Sequence, residues 1–331
     1  MIERFNVQMK KYNTLKLASV ATKFFEIFDE NELYELFDKK IFVKDCYRVL
    51  GEGSNLWISS KEIPVVIKLN LKGKLIDRQK EYTLVSAKAG ENWSDFVEML
   101  ISYNIGGFES LVDIPGTVGA APIQNIGAYG VEVCECISHV KVYDTKINDF
   151  RNISNKDCFF GYRDSLFKAD KTLIVTEVFF EFKNKYLPNI TNKEILKEME
   201  GGEMTLQSIL ESVRKVRRRK LPDPNIFPNS GSFFKNPILN KKSLNKIRSV
   251  NSEVVVYEVK DGYKVSAAWL IEFSGWKGLK INDVGMSSLH SLVLVNYSES
   301  NLVSIDEFVE HLMEDVFTKF GVLLEVEPVR W

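Results

Sequence analysis

Two spacings of hydrophobic residues alternate along the first 220 positions, one typical of strands and one typical of helices. Alternating or short apolar runs predict strands at residues 47–50, 64–69, 82–89, 139–143 and 173–182. Spacings of three and four residues predict helices at residues 30–39, 93–103 and 205–220. The apolar face of the second helix is formed by Trp93, Phe96, Val97, Leu100 and Ile101. This mixture indicates an α/β or α+β protein.

The last third of the chain has a different pattern. Short strands and one helix near residues 267–273 are predicted between Asn225 and about Ser300. A long helix then opens with Ser304 and Glu307, spaced as a capping box, and has Gly321 at its C-cap. A strand over residues 322–331 is predicted to end the chain. Leu221-Pro222-Asp223-Pro224 stops the helix predicted at residues 205–220. We expect domain boundaries near residues 70 and 220.

Composition narrows the class of protein. The chain has 331 residues, 45% hydrophobic and 27% charged, which suits two or three domains with buried cores. A net charge of -1 draws it neither to nucleic acid nor to an anionic membrane, so an anionic substrate needs a local cluster of cations. No stretch resembles a signal peptide or a membrane span. The four cysteines and three scattered histidines indicate neither a disulfide framework nor a metal site. We expect a cytoplasmic protein.

Two glycine-rich segments are the first candidates for chemistry. Gly51-Glu52-Gly53-Ser54-Asn55 follows a predicted strand, and its small residues let backbone N–H groups approach a phosphate. Leu56 replaces the third glycine of the dinucleotide fingerprint, and on its own this segment is better explained as a simple tight turn. The second segment, residues 114–130, lies in a passage (105–130) with six of the 19 glycines. Its composition suits backbone packed along a flat buried ligand, or else a structural crossover.

The second segment, IPGTVGAAPIQNIGAYG, is similar to a flavin-contacting loop of the UDP-N-acetylenolpyruvoylglucosamine reductase (UDP-N-acetylmuramate dehydrogenase) family, and residues 51–55 resemble its first loop. Nearly the whole chain shares the resemblance, including residues 13–14, 160–165, 220–224, 231–237 and 268–271. It implies an α+β or α/β fold with two FAD-binding subdomains of the vanillyl-alcohol-oxidase (PCMH) type and a C-terminal α+β substrate-binding domain. The implied divisions are 1–70 (rejoined by about 320–331), 71–220 and 221–319. Residues between 182 and 205 resemble the insertion of the longer, type I form.

Two basic motifs have both ordinary and functional interpretations. Tyr162-Arg163-Asp164 alone is typical of a surface turn with an arginine–aspartate pair, and residues 214–220 are typical of a solvated helix face or a nucleic-acid contact. At about 100° per residue, however, Arg217 and Lys220 fall within the apolar stripe of their helix, whereas Lys215, Arg218 and Arg219 point away. A buried cation needs a partner, and an anionic ligand is one candidate.

A serine and two glutamates stand out in the last third. Ser232 lacks the nucleophile-elbow pattern, so nucleophilic serine catalysis is not indicated. Glu325 and Glu327 are two residues apart on a predicted strand and share one face, as they also would on a solvated strand edge. The resemblance implies one catalytic glutamate here. We favour Glu327 over Glu325, while the extra residue Pro328 keeps the choice of register open.

The resemblance assigns the remaining site residues. Catalysis is expected from Arg163, Ser232 and Glu327, and substrate binding from Tyr162, Arg163, Lys220 and Asn236. Non-covalent FAD is expected to contact Gly51, Glu52, Gly53, Ser54, Asn55, Ile114, Pro115, Gly116, Thr117, Gly119, Ala120, Asn125, Gly127 and Ala128. Asn192 stands where the longer form usually has a tyrosine over the substrate diphosphate. An asparagine can donate a hydrogen bond there but cannot stack.

A reaction in peptidoglycan precursor synthesis follows from the same resemblance. NADPH reduces FAD, and the enolpyruvyl ether of UDP-N-acetylglucosamine is then reduced to UDP-N-acetylmuramate. Flavin N5 supplies the hydride and Ser232 the proton, while Arg163 and a protonated Glu327 stabilise the enediolate. The expected partners are NADPH and the UDP-sugar, with NADH left open, and the expected state is a monomer. The alternatives are an oxidase of the same cofactor fold, which would not need Ser232, Lys220 and Asn236 together, and a non-catalytic nucleotide-binding protein.

Overall fold

The computed structural model describes residues 1–298 and 302–331, and the chain divides into two compact units. The first unit comprises Met1–Val7, Val20–Gly53 and Glu62–Arg217. The second comprises Gln8–Ser19, Ser54–Lys61 and Arg218–Trp331. The chain passes from the first unit to the second for the last time after Arg217, close to the predicted boundary near residue 220. The three-part division at 1–70, 71–220 and 221–319 stays a prediction.

The first unit contains two main sheets. One has the strand order β1-β2-β5-β3, and β5 pairs in parallel with both β2 and β3. The other is antiparallel, in the order β11-β10-β12-β7-β6. A short hairpin, β8-β9, lies in the glycine-rich passage. The strands are β1 (Ile2–Gln8), β2 (Val20–Ile27), β3 (Tyr47–Leu50), β5 (Glu62–Leu69), β6 (Lys74–Arg78), β7 (Tyr82–Lys88), β8 (Gly127–Ala128), β9 (Val131–Glu132), β10 (Ile137–Asp144), β11 (Asp149–Ser154) and β12 (Leu173–Lys183).

Helices cover the core of this unit. Asn92 caps α2 by accepting a hydrogen bond from the Asp95 N–H. All five apolar residues predicted to share one face of α2 are buried, and Trp93 packs against Phe108 with 5.4 Å between ring centroids. The helices are α1 (Glu32–Asp38), α2 (Trp93–Ser102), α3 (Leu166–Ala169), α4 (Lys193–Glu198) and α5 (Leu206–Lys220), with 3-10 turns at Glu109–Leu111, Val118–Ala120, Val133–Glu135 and Asn155–Cys158.

The second unit is built from small sheets and three longer segments of helix. Its sheets have the orders β13-β19-β18-β17, β14-β16-β15 and β20-β4. The strands are β4 (Leu56–Trp57), β13 (Asn229–Ser232), β14 (Ile238–Leu239), β15 (Val256–Val259), β16 (Gly262–Val265), β17 (Lys280–Ile281), β18 (Val284–Met286), β19 (Val293–Asn296) and β20 (Val329–Arg330). The helices are α6 (Lys241–Val250), α7 (Ala267–Phe273) and α8 (Leu302–Phe320), with a 3-10 turn at Met9–Tyr12.

Two predictions at the C-terminus are wrong. The closing strand is confined to β20, and within residues 322–328 the structure has an isolated bridge between Phe234 and Val326. Pro328 has no N–H to continue a ladder, which separates the bridge at Val326 from β20. Helix α8 begins at Leu302, so Ser304 lies inside it rather than at its N-cap. The predicted end of the preceding region, near Ser300, lies outside the described residues.

Other features of the pattern are confirmed. Gly321 follows α8 with φ +67°, and its N–H donates to the Phe317 carbonyl at 2.7 Å. Each strand and helix predicted in residues 47–273 is present within a few residues of its predicted bounds. In the part of the chain that the structure covers, no helix is long and apolar enough to cross a membrane.

Candidate active site

The two glycine-rich loops meet within the first unit. A Cβ placed on Gly51 would come within 2.9 Å of the Thr117 hydroxyl and 3.8 Å of Ala120 Cβ. A Cβ on Gly119 would lie 2.5 Å from Ala89 Cβ, at the end of β7. A larger residue at Gly51 would have to displace Thr117 in the second loop, and a larger residue at Gly119 would have to displace that loop from Ala89. Gly51 therefore allows the two predicted cofactor loops to lie against each other, and Gly119 allows the second loop to lie against the end of β7.

Helix α2 fixes the start of the second loop. The Trp93 N–H donates to the Gly116 carbonyl at 3.0 Å, and Asn92 forms a bridge with Thr117. The Asn92 amide also donates to the Glu52 carboxylate in the first loop at 2.9 Å. Asn92, the N-cap residue of α2, thus contacts both loops.

Asn125 organises the middle of the second loop. It is fully buried and has φ +42°, a conformation that is uncommon without glycine. Its amide donates to Glu132 at 2.9 Å and to the Gly161 carbonyl at 3.0 Å, and its side-chain oxygen accepts from the Cys134 N–H. The loop is thereby joined to the segment that carries Tyr162 and Arg163.

Arg163 lies on a tight turn whose side chain reaches back to the second loop. Gly161 and Asp164 exchange backbone hydrogen bonds of 3.0 and 3.2 Å, and Arg163 has φ +54°. Type II turns favour glycine at this third position, so an arginine there is strained. Its guanidinium donates to the Asn125 carbonyl at 3.2 Å and to the Gly127 carbonyl at 2.6 Å. The structure thus brings Arg163 together with predicted cofactor residues.

The cations of α5 divide as their periodicity predicts. Arg217 and Lys220 are half-buried, whereas Lys215, Arg218 and Arg219 are exposed. The sequence suggested an anionic ligand as partner for the buried face. The structure supplies protein partners for Arg217: its guanidinium donates to the Asp113 carbonyl at 3.1 Å and hydrogen-bonds to Tyr129.

Asp113, just before the second loop, is held by a second cation of the same helix. Arg214 donates to both carboxylate oxygens, at 3.0 and 3.1 Å, and the Ser94 hydroxyl donates at 3.0 Å. Burial alone would raise the pKa of Asp113, but these hydrogen bonds hold it below its usual value. No local pattern in the sequence indicated this pair, because its members are 101 residues apart.

The second half of the first loop belongs to the second unit. The Thr14 hydroxyl donates to the Ser54 carbonyl at 3.3 Å, and the Asn55 carbonyl accepts from the Val329 N–H at 2.9 Å. Asn13, almost fully buried, bonds to the backbone of Met9 and Leu17 and closes the segment that carries Thr14.

Ser232 follows a β-bulge. Strand β13 pairs Asn229 with Val295 and Ser232 with Val293, so β13 has one more residue than β19 over this stretch. Gly231 takes up the irregularity with φ +71°, and the Asn229 side chain accepts from its N–H at 2.9 Å. Bulges of this kind re-aim a side chain and are common beside active sites. The bulge sets the direction of half-buried Ser232.

Glu327 and Glu325 occupy different environments beside that strand. The Glu327 N–H donates to the carbonyl of Phe233, the residue after Ser232, at 2.9 Å, and the Glu327 side chain is half-buried. Glu325 is exposed and forms an ion pair with the ammonium of buried Lys235. Within the second unit, Ser232 and Glu327 are therefore neighbours in backbone pairing, and Glu325 has a separate structural partner.

The remaining predicted residues lie at the ends of helices. Lys220 is the last residue of α5, and the Asn236 side-chain oxygen accepts from the Ala267 N–H at the start of α7, at 2.9 Å. Asn192 caps α4, with its side-chain oxygen accepting from Glu194 and Ile195. In this structure the insertion asparagine has a local structural contact. Across the described residues no cluster of three or more potential metal ligands is found.

Comparisons with known proteins agree with this arrangement. A profile for an FAD binding domain matches residues 42–146, and one for the UDP-N-acetylenolpyruvoylglucosamine reductase C-terminal domain matches residues 223–331. The UDP-N-acetylenolpyruvoylglucosamine reductase of Bdellovibrio bacteriovorus is 40% identical over 324 residues, 96% of each chain. The chain belongs to the UDP-N-acetylenolpyruvoylglucosamine reductase family. The namesake from Pseudomonas putida is 36% identical over 97% of both chains.

This reductase is an FAD-dependent oxidoreductase, and its predicted fold is confirmed. The crystal structure of the Thermus caldophilus UDP-N-acetylenolpyruvylglucosamine reductase aligns with all of the chain at a TM-score of 0.69 and 24% identity, which supports the fold. The residues described above fit the cofactor, because two glycine loops in close contact present backbone rather than side chains. The buried Nε of Arg217, which has no acceptor among the described residues, adds a donor close to the second loop.

Proposed function

We propose that this reductase converts the enolpyruvyl ether of UDP-N-acetylglucosamine to UDP-N-acetylmuramate for peptidoglycan synthesis, with NADPH as the electron donor. The observation that carries the proposal is the 40% identity to a reductase of that name over 96% of both chains. We also propose the cytoplasm as its compartment, the three-part domain division as its organisation and a monomer as its functional state. The separate sheets of residues 2–69 and 74–183 support two cofactor subdomains.

The proposal assigns non-covalent FAD to residues 51–55 and 114–128. Bound FAD supplies hydride transfer from its N5 atom. The chain contributes close backbone approach at Gly51 and Gly119 and a fixed loop conformation through Asn125. No cysteine or histidine lies in either loop, which supports non-covalent binding.

Arg163 is assigned to the substrate carboxylate. A guanidinium has five N–H donors, and two bonds to the second loop fix its orientation. In the proposal, the guanidinium binds both carboxylate oxygens and stabilises the negative charge that develops there. Tyr162, whose ring lies 5.4 Å from the Arg163 guanidinium carbon, is proposed to line the same site.

Ser232 is assigned as the proton donor and Glu327 as a protonated partner of the enediolate. Reduction of the alkene leaves a strongly basic carbanion next to the carboxylate. A serine hydroxyl, a weak acid in water, suffices to protonate such a carbon when it is correctly placed. The bulge at Gly231 and the bond between Glu327 and Phe233 support these roles, because they fix both side chains on paired backbone.

Lys220 and Asn236 are assigned to the substrate diphosphate. Lys220 is a cation at the half-buried end of α5, and an ammonium group suits a phosphate as a point charge. The Asn236 side-chain oxygen accepts from the Ala267 N–H, and in the proposal its NH2 group donates to the diphosphate. Asn192, as the cap of α4, is proposed to stabilise the insertion rather than to stack on the substrate.

The experiment that tests this function uses Ser232→Ala. NADPH should reduce the FAD of the variant at the wild-type rate, whereas reoxidation by the UDP-sugar should slow by about 100-fold or more, the range of general acid catalysis. Both half-reactions are followed by flavin absorbance in anaerobic stopped-flow. Ser230→Ala is the matched control, because Ser230 lies on the same strand and its hydroxyl is buried without a partner in the described structure. Normal reoxidation of Ser232→Ala would remove the proposed proton donor.

A further inference from the structure

Both ends of the second loop are strained at residues other than glycine. Asp113, immediately before the loop, has φ +57°, and Tyr129, near its end, has φ +54°. Tyr129 is the first central residue of the two-residue turn between β8 and β9, followed by Gly130 with φ +92°. Such turns favour Asn-Gly, so a tyrosine there is disfavoured. Strained residues persist where the surrounding structure fixes them.

One side chain contacts both strained positions. The Arg217 guanidinium donates to the Asp113 carbonyl at 3.1 Å, and a side-chain hydrogen bond joins it to Tyr129. Arg217 projects from the same face of α5 as Leu210 and Val213, both of which are buried. The planar guanidinium can serve two acceptors in different directions, which an ammonium on a flexible stem does less well.

Arg217 is not needed to neutralise the Asp113 side chain. The Asp113 carboxylate is already neutralised by Arg214 through two hydrogen bonds, so Arg217 bonds to the backbone carbonyl of that residue instead. Burial raises the pKa of the Tyr129 hydroxyl, so the phenol stays neutral. Burial lowers the pKa of the Arg217 guanidinium, but an arginine is not deprotonated in proteins and Arg217 stays a cation. The contact is therefore a charge-assisted hydrogen bond in a buried place.

We propose that Arg217 is a positioning residue that joins the two ends of the second loop, Asp113 and Tyr129, and so holds the backbone of residues 114–128 in the conformation that binds FAD. We call these three residues the loop clasp. The inference rests on the proposed assignment of the second loop to FAD. It gives a role to the buried cation of α5 that the substrate assignments do not use.

The test is FAD retention by the holoenzyme, measured as flavin fluorescence released on serial dilution. Arg217→Met and Tyr129→Phe should each weaken FAD binding by roughly 10-fold or more, the effect of losing one hydrogen bond to a charged group. Tyr129→Phe keeps the ring, so packing is retained. Arg218→Met, an exposed neighbour on the same helix, is the matched control and should retain FAD as the wild type does.

Two further results separate the clasp from a purely structural or purely ionic role. Arg217→Lys keeps the charge but cannot serve both acceptors, so its FAD binding should stay weak; restored binding would overturn the clasp. The visible circular dichroism of bound flavin should change in Tyr129→Phe, since the loop conformation changes. If Arg217→Met does not fold, Tyr129→Phe decides, and wild-type FAD retention in that variant would contradict the proposal.

The outcome is independent of the proposed substrate. Normal reoxidation of Ser232→Ala would remove the proton-donor role without affecting FAD retention in the clasp variants. Unchanged FAD retention in Arg217→Met and Tyr129→Phe would remove the clasp while the reductase function stood.

Discussion

Glu325 and Glu327 are two residues apart but have distinct partners. Glu325 is exposed and paired with Lys235, while Glu327 is half-buried beside the strand that carries Ser232. A carboxylic acid that donates to developing negative charge has to be protonated, and burial favours the protonated form. Glu325 has an ion-pair partner of its own, and Glu327 stays the proposed catalytic residue.

Substituting Glu325 and Glu327 one at a time gives a matched test of the assignment. Glu327→Ala should slow reoxidation of the flavin by the UDP-sugar about 100-fold or more, because one donor to the developing charge is lost. Glu325→Ala should change that rate by less than about 3-fold, because the exposed Glu325 carboxylate pairs with Lys235 and is not assigned to the substrate. Stopped-flow reoxidation of both variants, with FAD bound, checks the prediction. A larger effect in Glu325→Ala would reverse the assignment.

Some residue environments followed from the sequence and others could not. Helical periodicity correctly separated half-buried Arg217 and Lys220 from their exposed neighbours, because a single helix fixes its own faces. The partners of Arg217 were not predictable, since Asp113 lies 104 residues earlier. Periodicity indicates that a buried cation exists, while only the tertiary fold determines what it contacts.

The bulge in β13 is the structural element that sets the direction of Ser232. Gly231 has φ +71°, and a Cβ placed there would meet nothing within 4 Å. Substitution by alanine is therefore not a steric problem but a conformational one, costing about 1–2 kcal/mol in the left-handed region. Relaxation of the bulge would turn Ser232 toward the other face of the strand.

Gly231→Ala should accordingly slow reoxidation by about 10-fold or more while leaving flavin reduction unchanged, as expected when a proton donor is misplaced. Gly275→Ala is the matched control, because Gly275 lies in the same unit, has φ +89° and also has open space around its Cβ position. Both variants should lose similar stability in urea unfolding. Equal reoxidation rates in the two would show that the bulge has no role in catalysis.

Helices and strands with a long pattern of apolar residues were predictable, whereas those with an interrupted pattern were not. Helix α2 and strand β12 have long apolar patterns, and both lie within a few residues of their predicted bounds. Strands β1 and β2 were not identified, because charged residues interrupt their apolar positions. The predicted strand at residues 322–331 is interrupted at Pro328, which lacks a backbone donor, and residues 322–325 form no strand.

At the scale of the whole molecule, the chain changes unit several times. It leaves the first unit after Val7, Gly53 and Arg217, and the second of these points falls inside the first glycine loop. Hydrophobic periodicity indicates local burial and contains no information about the points at which the chain passes between units. The motif resemblance could supply the fold class, which the comparisons confirm, but not the points at which the chain crosses.

The central claim is that bound FAD passes electrons from a nicotinamide to an enolpyruvyl UDP-sugar. The most direct test is an anaerobic titration of the purified holoenzyme, followed by its visible flavin absorbance. NADPH should bleach the flavin, and UDP-N-acetylglucosamine enolpyruvate should restore the absorbance with one sugar consumed per flavin. Flavin that is reoxidised rapidly by oxygen but not by the sugar would identify an oxidase, and a chain that binds no FAD would contradict the account.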